Sequence, residues 1–322
     1  MSSERLVVPI EARGSRLDVF LIERFELSRS LLAQRLRDGL VTRNGKALKP
    51  GVKLKGGEVL ELAEGFDAPP DDPGALEPED LPLTVLHAED EFLVIDKEPG
   101  RVVHPGAGVP GGTLVNALLH HEGERLREVG AAGRPGLVHR LDRGTSGVMV
   151  VARTRAAHAK LSAAFADRRV EKRYLALAHG DPAPTGRVDA PIARDPQHRT
   201  RMRVSAEGRV ARSSWAAERR YGRHLALLEV GLETGRTHQV RVHLAHQGHP
   251  LVGDEVYGPG RWKAVSDPRL RALLRRWERP ALHARRLVFP HPSTGEPVGF
   301  EAPLPADLVA FLESLEGWAS GS

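Results

Sequence analysis

The sequence predicts an α+β chain in two unequal domains, a small amino-terminal one and a large one built on a mixed, largely antiparallel sheet. Three observations carry this. Strand-like runs such as "FLVIDKE" and "SGVMVVART" are interleaved with helical spacings too irregularly for a doubly wound fold. The acidic, Pro- and Gly-rich stretch "AEGFDAPPDDPGALEPEDL", residues 64–82, has no apolar period and reads as a linker between residues 14–63 and 83–315. A length of 322 residues suits one large core plus a small one.

In the small domain, "SRLDVFLIER" sets Leu17, Phe20, Leu21 and Arg24 at helical spacing. The stretch "SRSLLAQRLRDG" repeats the pattern with Leu32 and Leu36, Ser28 or Ser30 as a cap and Gly39 as a stop. Asn44-Gly45 then signals a tight turn between short strands, and Gly56-Gly57 a second turn. Arg29, Arg35, Arg37, Arg43, Lys46, Lys49, Lys53 and Lys55 are spread over this unit with few acids between them. Such a surface can contact phosphates.

In the large domain, "FLVIDKE", "SGVMVVART", "EKRYLALAHG" and "HLALLEVGLET" read as strands, and "AAHAKLSAAFADR" as a helix through Leu161 and Phe165. The polar run holding Arg236, His238, Gln239, Arg241 and His243 reads as strand-like. Arginines and leucines of "PRLRALLRRWERP" suit either an RNA-contacting helix or a surface helix packed through its leucines. Leu308, Phe311, Leu312 and Leu315 close the domain as a final helix.

Composition removes several function classes. With no cysteine there is no disulfide, thiolate nucleophile or cysteine-based zinc site, and a reducing cytoplasm is the expected compartment. No run approaches the roughly 18 apolar residues of a membrane span. With 47 Lys plus Arg against 42 acids, the formal charge of +5 favours a polyanionic partner. His238, His243, His246 and His249 invite a metal reading, but their spacing keeps them on no common face of a helix or strand, so no metal is expected. "VPGGTLVNALL" lacks the Lys-Ser/Thr that would make its glycine turn a phosphate loop.

The chemistry concentrates in "LVHRLDRGTSGVMVV". Asp142 stands among His139, Arg140 and Arg143 just ahead of an apolar strand, and Gly144 and Gly147 free the backbone around it. A strand tip is a rigid mount for a reactive group, and neighbouring cations favour an ionised acid. By itself this motif fits a structural ion pair as well as a catalytic carboxylate.

The combination of motifs decides between them. "HRLDRGTSG", "EKRYLALAHG", "LETGRTHQVRVHLAHQGHPLVGDEVYG" and "LVIDKEPGRVVHPG" together resemble the RluA-type pseudouridine synthases, with Lys97-Glu98-Pro99 standing where that family normally reads Lys-Pro. The segments "RLDVFL", "SRSLLAQRLRDGLVTRNGK" and "KLKGGEVLEL" resemble the small RNA-binding domain of a small-subunit ribosomal protein, shared by several RNA-modifying enzymes. The resemblance runs from residue 16 to about residue 300. It implies the pseudouridine synthase fold and the isomerisation of uridine in RNA, with large-subunit ribosomal RNA as the expected substrate. It also implies a monomer without cofactor or metal. Asp142 is then the catalytic acid, Arg236 the arginine that pairs with it, and Tyr174 the active-site tyrosine that packs on uracil and takes part in the final proton removal. Arg140 and His139 are expected at the target nucleotide, and Arg29, Arg37, Arg43 and Lys46 on RNA through the small domain. A glycosidase would need two carboxylates flanking the bond, whereas an isomerase activates no water and can work with one. Two alternatives belong to the same resemblance: a ribosome-assembly factor without turnover, and a synthase for transfer RNA.

Overall fold

The computed structural model describes residues 4–25, 27, 29–63, 66, 76–106, 109–131, 133–198 and 200–321. The chain divides into two compact units, Met1–Ala75 and Leu76–Ser322.

The small unit runs β1 (Glu4–Val7), α1 (Leu17–Phe25), α2 (Arg29–Arg37), β2 (Val41–Arg43), β3 (Lys46–Ala47) and β4 (Val59–Leu62), with sheet order β1-β4-β2-β3. The helical spacing read from sequence buries Leu17 and Leu21 of α1 and Leu32 and Leu36 of α2 against Val41, Leu60 and Leu62. Asn44 and Gly45 both take positive φ, 53° and 70°, which is the tight hairpin turn their sequence signals. Both domain limits move outwards from the expected 14–63. β1 pairs with β4 from Glu4 onwards, and Phe66 is buried with its ring edge-on to Phe25 at 5.1 Å. Ser28 and the side chains of Arg29 and Ser30 lie outside the described residues, as do 64–65 and 67–75 of the expected linker. Its last part belongs to the large unit, where Asn116 donates to the Glu77 carbonyl (2.8 Å) and the Gly112 amide donates to the Glu79 carboxylate (2.8 Å).

The large unit continues with β5 (Thr84–Ala88), β6 (Phe92–Lys97), α3 (Leu114–Glu122), β7 (Ser146–Ala152), α4 (Arg155–Ala166), β8 (Glu171–His179) and β9 (Thr185–Asp189). There follow β10 (Ile192–Arg194), β11 (Met202–Val204), β12 (Arg212–Tyr221), β13 (Leu225–Leu232), α5 (Gln239–His246), α6 (Pro268–Arg275), β14 (Leu282–Pro290), β15 (Pro297–Glu301) and α7 (Ala306–Ala319). Nine strands form one sheet in the order β5-β6-β7-β14-β8-β13-β12-β9, with β15 also on β14. Every pairing is antiparallel except β7 with β14, so the sheet is mixed and largely antiparallel as expected.

Strand parity distributes the core. On β8 and β13, Leu175, Leu177, Leu225 and Leu227 pack against α6 and α7, while Ala176, Ala178, Ala226 and Leu228 meet Val240 and Leu244 of α5 on the other face. Full burial of each such leucine contributes about 2 kcal/mol. β6 and β7 are apolar on both faces and are enclosed by α3 and α4. In α6, Leu270 and Leu274 are buried, so this helix packs through its leucines. The polar run from residue 236 is not a strand: it enters the helix α5 through His238, whose φ is 58°.

Candidate active site

The loop before β7 carries Asp142. It is pinned from several sides. The Asp142 carbonyl accepts the Thr145 amide (3.0 Å), and the Arg143 carbonyl accepts the Gly100 amide (2.8 Å) while Arg143 Nε donates to the Gly100 carbonyl (3.1 Å). Beneath it, Lys97 at the end of β6 is 1% exposed, and its Nζ donates to the carbonyls of Glu98 (2.7 Å), Arg101 (3.1 Å) and Arg143 (3.4 Å). Burial pulls the Lys97 pKa down to about 8, opposed by Glu98 and by Asp142 itself. Arg279 Nη1 donates to the Gly144 carbonyl (3.2 Å). Gly147 has φ 116°, and a Cβ there would lie 2.2 Å from the Ala284 carbonyl oxygen, so only glycine lets β7 and β14 approach this closely.

Asp142 opens onto a cavity of about 110 Å³, walled by Tyr174 and Leu232 of the sheet and by residues 235–241 at the start of α5. Among the described residues that line it, Asp142 alone is acidic, while Arg140, Arg236 and Arg241 also line it. The ion pair of Asp142 is with Arg241, Nη1 to Oδ2 at 3.4 Å, and His238 Nε2 stands 3.9 Å from Oδ1. The expected pairing with Arg236 is therefore corrected. Arg236 Nε donates to the Val210 carbonyl (3.0 Å), while one helical turn orients His238 and Arg241, three residues apart, to the same acid.

Arg241 has its own anchor. Its Nε and Nη2 donate to the two oxygens of Asp254 at 2.7 and 2.9 Å, a bidentate pair buried within the domain. Asp254 also accepts the amides of Val256 (3.0 Å) and Tyr257 (3.1 Å). Burial acts to lower the Arg241 pKa, but the bonds to Asp254 and the charges of Asp254 and Asp142 hold it above the ordinary value. The Tyr257 ring lies against the guanidinium, 5.1 Å from its centroid, and the Tyr257 hydroxyl meets His238 Nδ1 (2.8 Å) while accepting the Met202 amide (2.8 Å). Burial lowers the His238 pKa, so this histidine is neutral near pH 7.

Tyr174 lies mid-sheet, paired with Val230 on β13 and Ala284 on β14, and lines the cavity. Burial, reinforced by the Asp142 carboxylate, pushes its phenol pKa above the ordinary value, so it stays protonated. Arg140 is exposed at the rim, with Nη1 3.4 Å from His104 Nε2. His139 is turned inwards. Its Nε2 accepts the Val150 amide (3.0 Å), its ring stacks on Phe165 at 4.6 Å, and burial drives its pKa down to about 3. The expectation that it contacts RNA is withdrawn on that ground. His243 is likewise engaged within the protein, bonded to Ser213 Oγ (2.8 Å) and the Ala190 carbonyl (2.9 Å). In the small unit Arg37 and Lys46 are exposed, while Arg43 is ion-paired with Glu58.

Fold and site together define an enzyme with one carboxylate among cations, mounted on a mixed sheet. The family model described as RNA pseudouridylate synthase matches residues 91–246, and the S4 domain model matches residues 15–60. The chain is 44% identical over 317 residues to the ribosomal large subunit pseudouridine synthase D of Xanthomonas campestris pv. campestris, covering 98% of this chain and 93% of that one. It is 40% identical over 323 residues to the protein of the same name from Zymomonas mobilis subsp. mobilis, covering 98% of each. Among solved structures it is similar to human RNA pseudouridylate synthase domain containing 4, with a TM-score of 0.57 and 27% identity over 72% of this chain and 93% of that one. The chain belongs to the RNA pseudouridylate synthase family, with an amino-terminal S4 domain, and is an isomerase of uridine in RNA.

Proposed function

We propose that this synthase isomerises uridines of large-subunit ribosomal RNA, with Asp142 acting on the ribose of a nucleotide extruded from its stack. The observation that carries the catalytic assignment is that Asp142 alone is acidic among the described residues lining the cavity, where it is ion-paired with Arg241 and shares the wall with Tyr174. The ribosomal substrate is supported by the relatives that match nearly the whole chain, each named a ribosomal large subunit pseudouridine synthase D.

In this reading the bond from ribose C1′ to uracil N1 breaks, the ring turns, and C1′ rejoins at C5. A proton leaves C5 and one is gained at N1, so no water is consumed. Asp142 acts on the sugar as an anion, by attack or by deprotonation, and neither route requires a second acid. Arg241 supplies the counter-charge that the sequence reading assigned to Arg236. Tyr174 offers a ring face for uracil; its raised pKa opposes a phenolate, so its neutral hydroxyl takes part in removal of the C5 proton only as a relay, passing its own proton to the Asp142 carboxylate as it accepts the one from C5. Arg140 at the rim positions the extruded nucleotide. Arg29, Arg37 and Lys46 of the S4 domain, with Arg43 beside its partner Glu58, contact RNA phosphates. The cysteine-free composition suits the cytoplasm.

The test is to incubate the protein with unmodified large-subunit ribosomal RNA and, separately, with unmodified transfer RNA, and to map pseudouridine in each. Pseudouridine at discrete positions of the ribosomal RNA is expected. Modification of transfer RNA alone would overturn the substrate assignment.

A further inference from the structure

Lys172 lies two residues before Tyr174 on β8, so the two side chains leave the same face of the sheet about 7 Å apart. Only 8% of Lys172 is exposed, yet among the described residues it has neither a hydrogen bond nor an ion pair. It lines a groove of about 440 Å³ together with Arg168, Arg169, Arg173 and Glu233. Leu232 lines both this groove and the catalytic cavity, so the two adjoin. Arg168 is exposed, takes a left-handed backbone at φ 61°, and has no acid partner among the described residues. The acids nearby are already engaged: Glu171 with Arg173 (2.9 Å), and Glu233 with Arg187 (3.1 Å) and Arg212 (3.8 Å). Arg236, at the cavity edge, bonds among the described residues through its Nε to a carbonyl. Burial first, then the charges of Arg168 and Arg236, pull the Lys172 pKa down. A nearly buried cation without a counter-ion weakens the fold, which makes sense where an anion completes the site.

We infer that Lys172, Arg168 and Arg236 form an anion site for a backbone phosphate of the substrate RNA, next to the nucleotide held against Tyr174. This deepens the RNA reading above and rests on it. It also gives Arg236 a role consistent with its separation from Asp142. The phosphate supplies the missing counter-charge, and the three cations fix the strand while the base leaves its stack.

The experiment uses the full chain and a fragment of unmodified large-subunit ribosomal RNA, comparing wild type with Lys172→Gln, Lys172→Arg and Arg168→Gln. For Lys172→Gln, Kd and KM should rise about tenfold, the scale of one charge-assisted contact, with kcat at saturating RNA retained. The slope of log Kd against log salt should flatten by about 0.7 for the lost contact. Lys172→Arg should restore most of the affinity. Because an unpaired buried charge is removed, the Tm of Lys172→Gln should equal or exceed that of wild type, an outcome a merely structural lysine would reverse. Methylphosphonate linkages placed singly around the target uridine should include one that weakens wild type but not Lys172→Gln. Wild-type Kd and salt slope in Lys172→Gln, or a loss confined to kcat, would overturn the site. Arg168→Gln, on an exposed side chain, carries the same expectation should Lys172→Gln not fold. Binding is scored apart from turnover, so ribosomal RNA that binds through Lys172 and stays unmodified would sink the substrate reading and leave the anion site standing.

Discussion

Lys97 and Lys172 are both buried, and their surroundings give them opposite duties. Lys97 bonds three carbonyls around the Asp142 loop, so Lys97→Met leaves acceptors unsatisfied and should cost about 2 kcal/mol of stability, read from urea unfolding. It should also lower kcat, because the Arg143 carbonyl loses a tie next to Asp142. The pH dependence follows from the depressed pKa. Between about 8 and the ordinary 10.5 the unfolded chain binds the Lys97 proton more tightly than the folded one, so stability from this group rises with pH across that window. Below the window the penalty is fully present, and above it the penalty is gone. Lys97→Met should remove that increment when unfolding is compared at pH 8 and pH 10, and identical slopes in the two proteins would contradict a depressed pKa. Asp254 acts one step further out, through Arg241. Asp254→Asn replaces a bidentate acceptor with a mixed one and should reduce kcat by about tenfold or more while leaving KM near wild type, since Arg241 would no longer be fixed against Asp142. A change in KM alone would assign Asp254 to substrate binding instead.

At the level of elements, the strands and most helices were legible because parity and helical spacing both left strong patterns. Leu175 and Leu177 alternate with Ala176 and Ala178, and Leu308, Phe311, Leu312 and Leu315 fall on one helical face. The segment that carries the site was misread for an equally physical reason. Val240, Val242 and Leu244 alternate with polar residues as a half-buried strand would, and β-branched valines favour that reading, yet Val240 and Leu244 are also four apart and meet one core cluster from α5, while Val242 packs into another. A strand puts Arg236 and His238 on one face and Arg241 on the other. The helix brings His238 and Arg241 together on Asp142, whereas the pairing with Arg236 rests on the family resemblance and not on any reading of faces. Asp254, Tyr257 and Lys97 were within view in sequence, but their roles depend on contacts that no spacing specifies. Gly147 is where elements meet most tightly. Gly147→Ala should destabilise the large unit by about 3 kcal/mol or more, because the new methyl collides with the Ala284 carbonyl and the φ is unsuited to alanine. Thermal melting of this variant at wild-type Tm would refute the close β7–β14 approach.

Across the whole molecule, the chain separates a basic small unit from a catalytic unit, and the separation was read from composition: the acidic, Pro-rich stretch lies where the two units divide. Its limits were less legible, because Phe66 and Glu79 are single residues committed to opposite units within a segment that carries no period. Removal of residues 1–75 should weaken RNA binding most at low salt and flatten the salt dependence, with the Asp142 cavity unaffected. Unchanged affinity would show that the S4 domain does not contribute phosphate contacts to this substrate.

The central claim is that one carboxylate, Asp142, carries the isomerisation. Its most direct test is single-turnover formation of pseudouridine on unmodified large-subunit ribosomal RNA by wild type and by Asp142→Asn, with folding and RNA affinity of the variant checked in parallel. Loss of product with affinity retained is the result expected, since the amide keeps the shape of the side chain and loses its charge. Pseudouridine formed by folded Asp142→Asn at the wild-type rate would contradict the account.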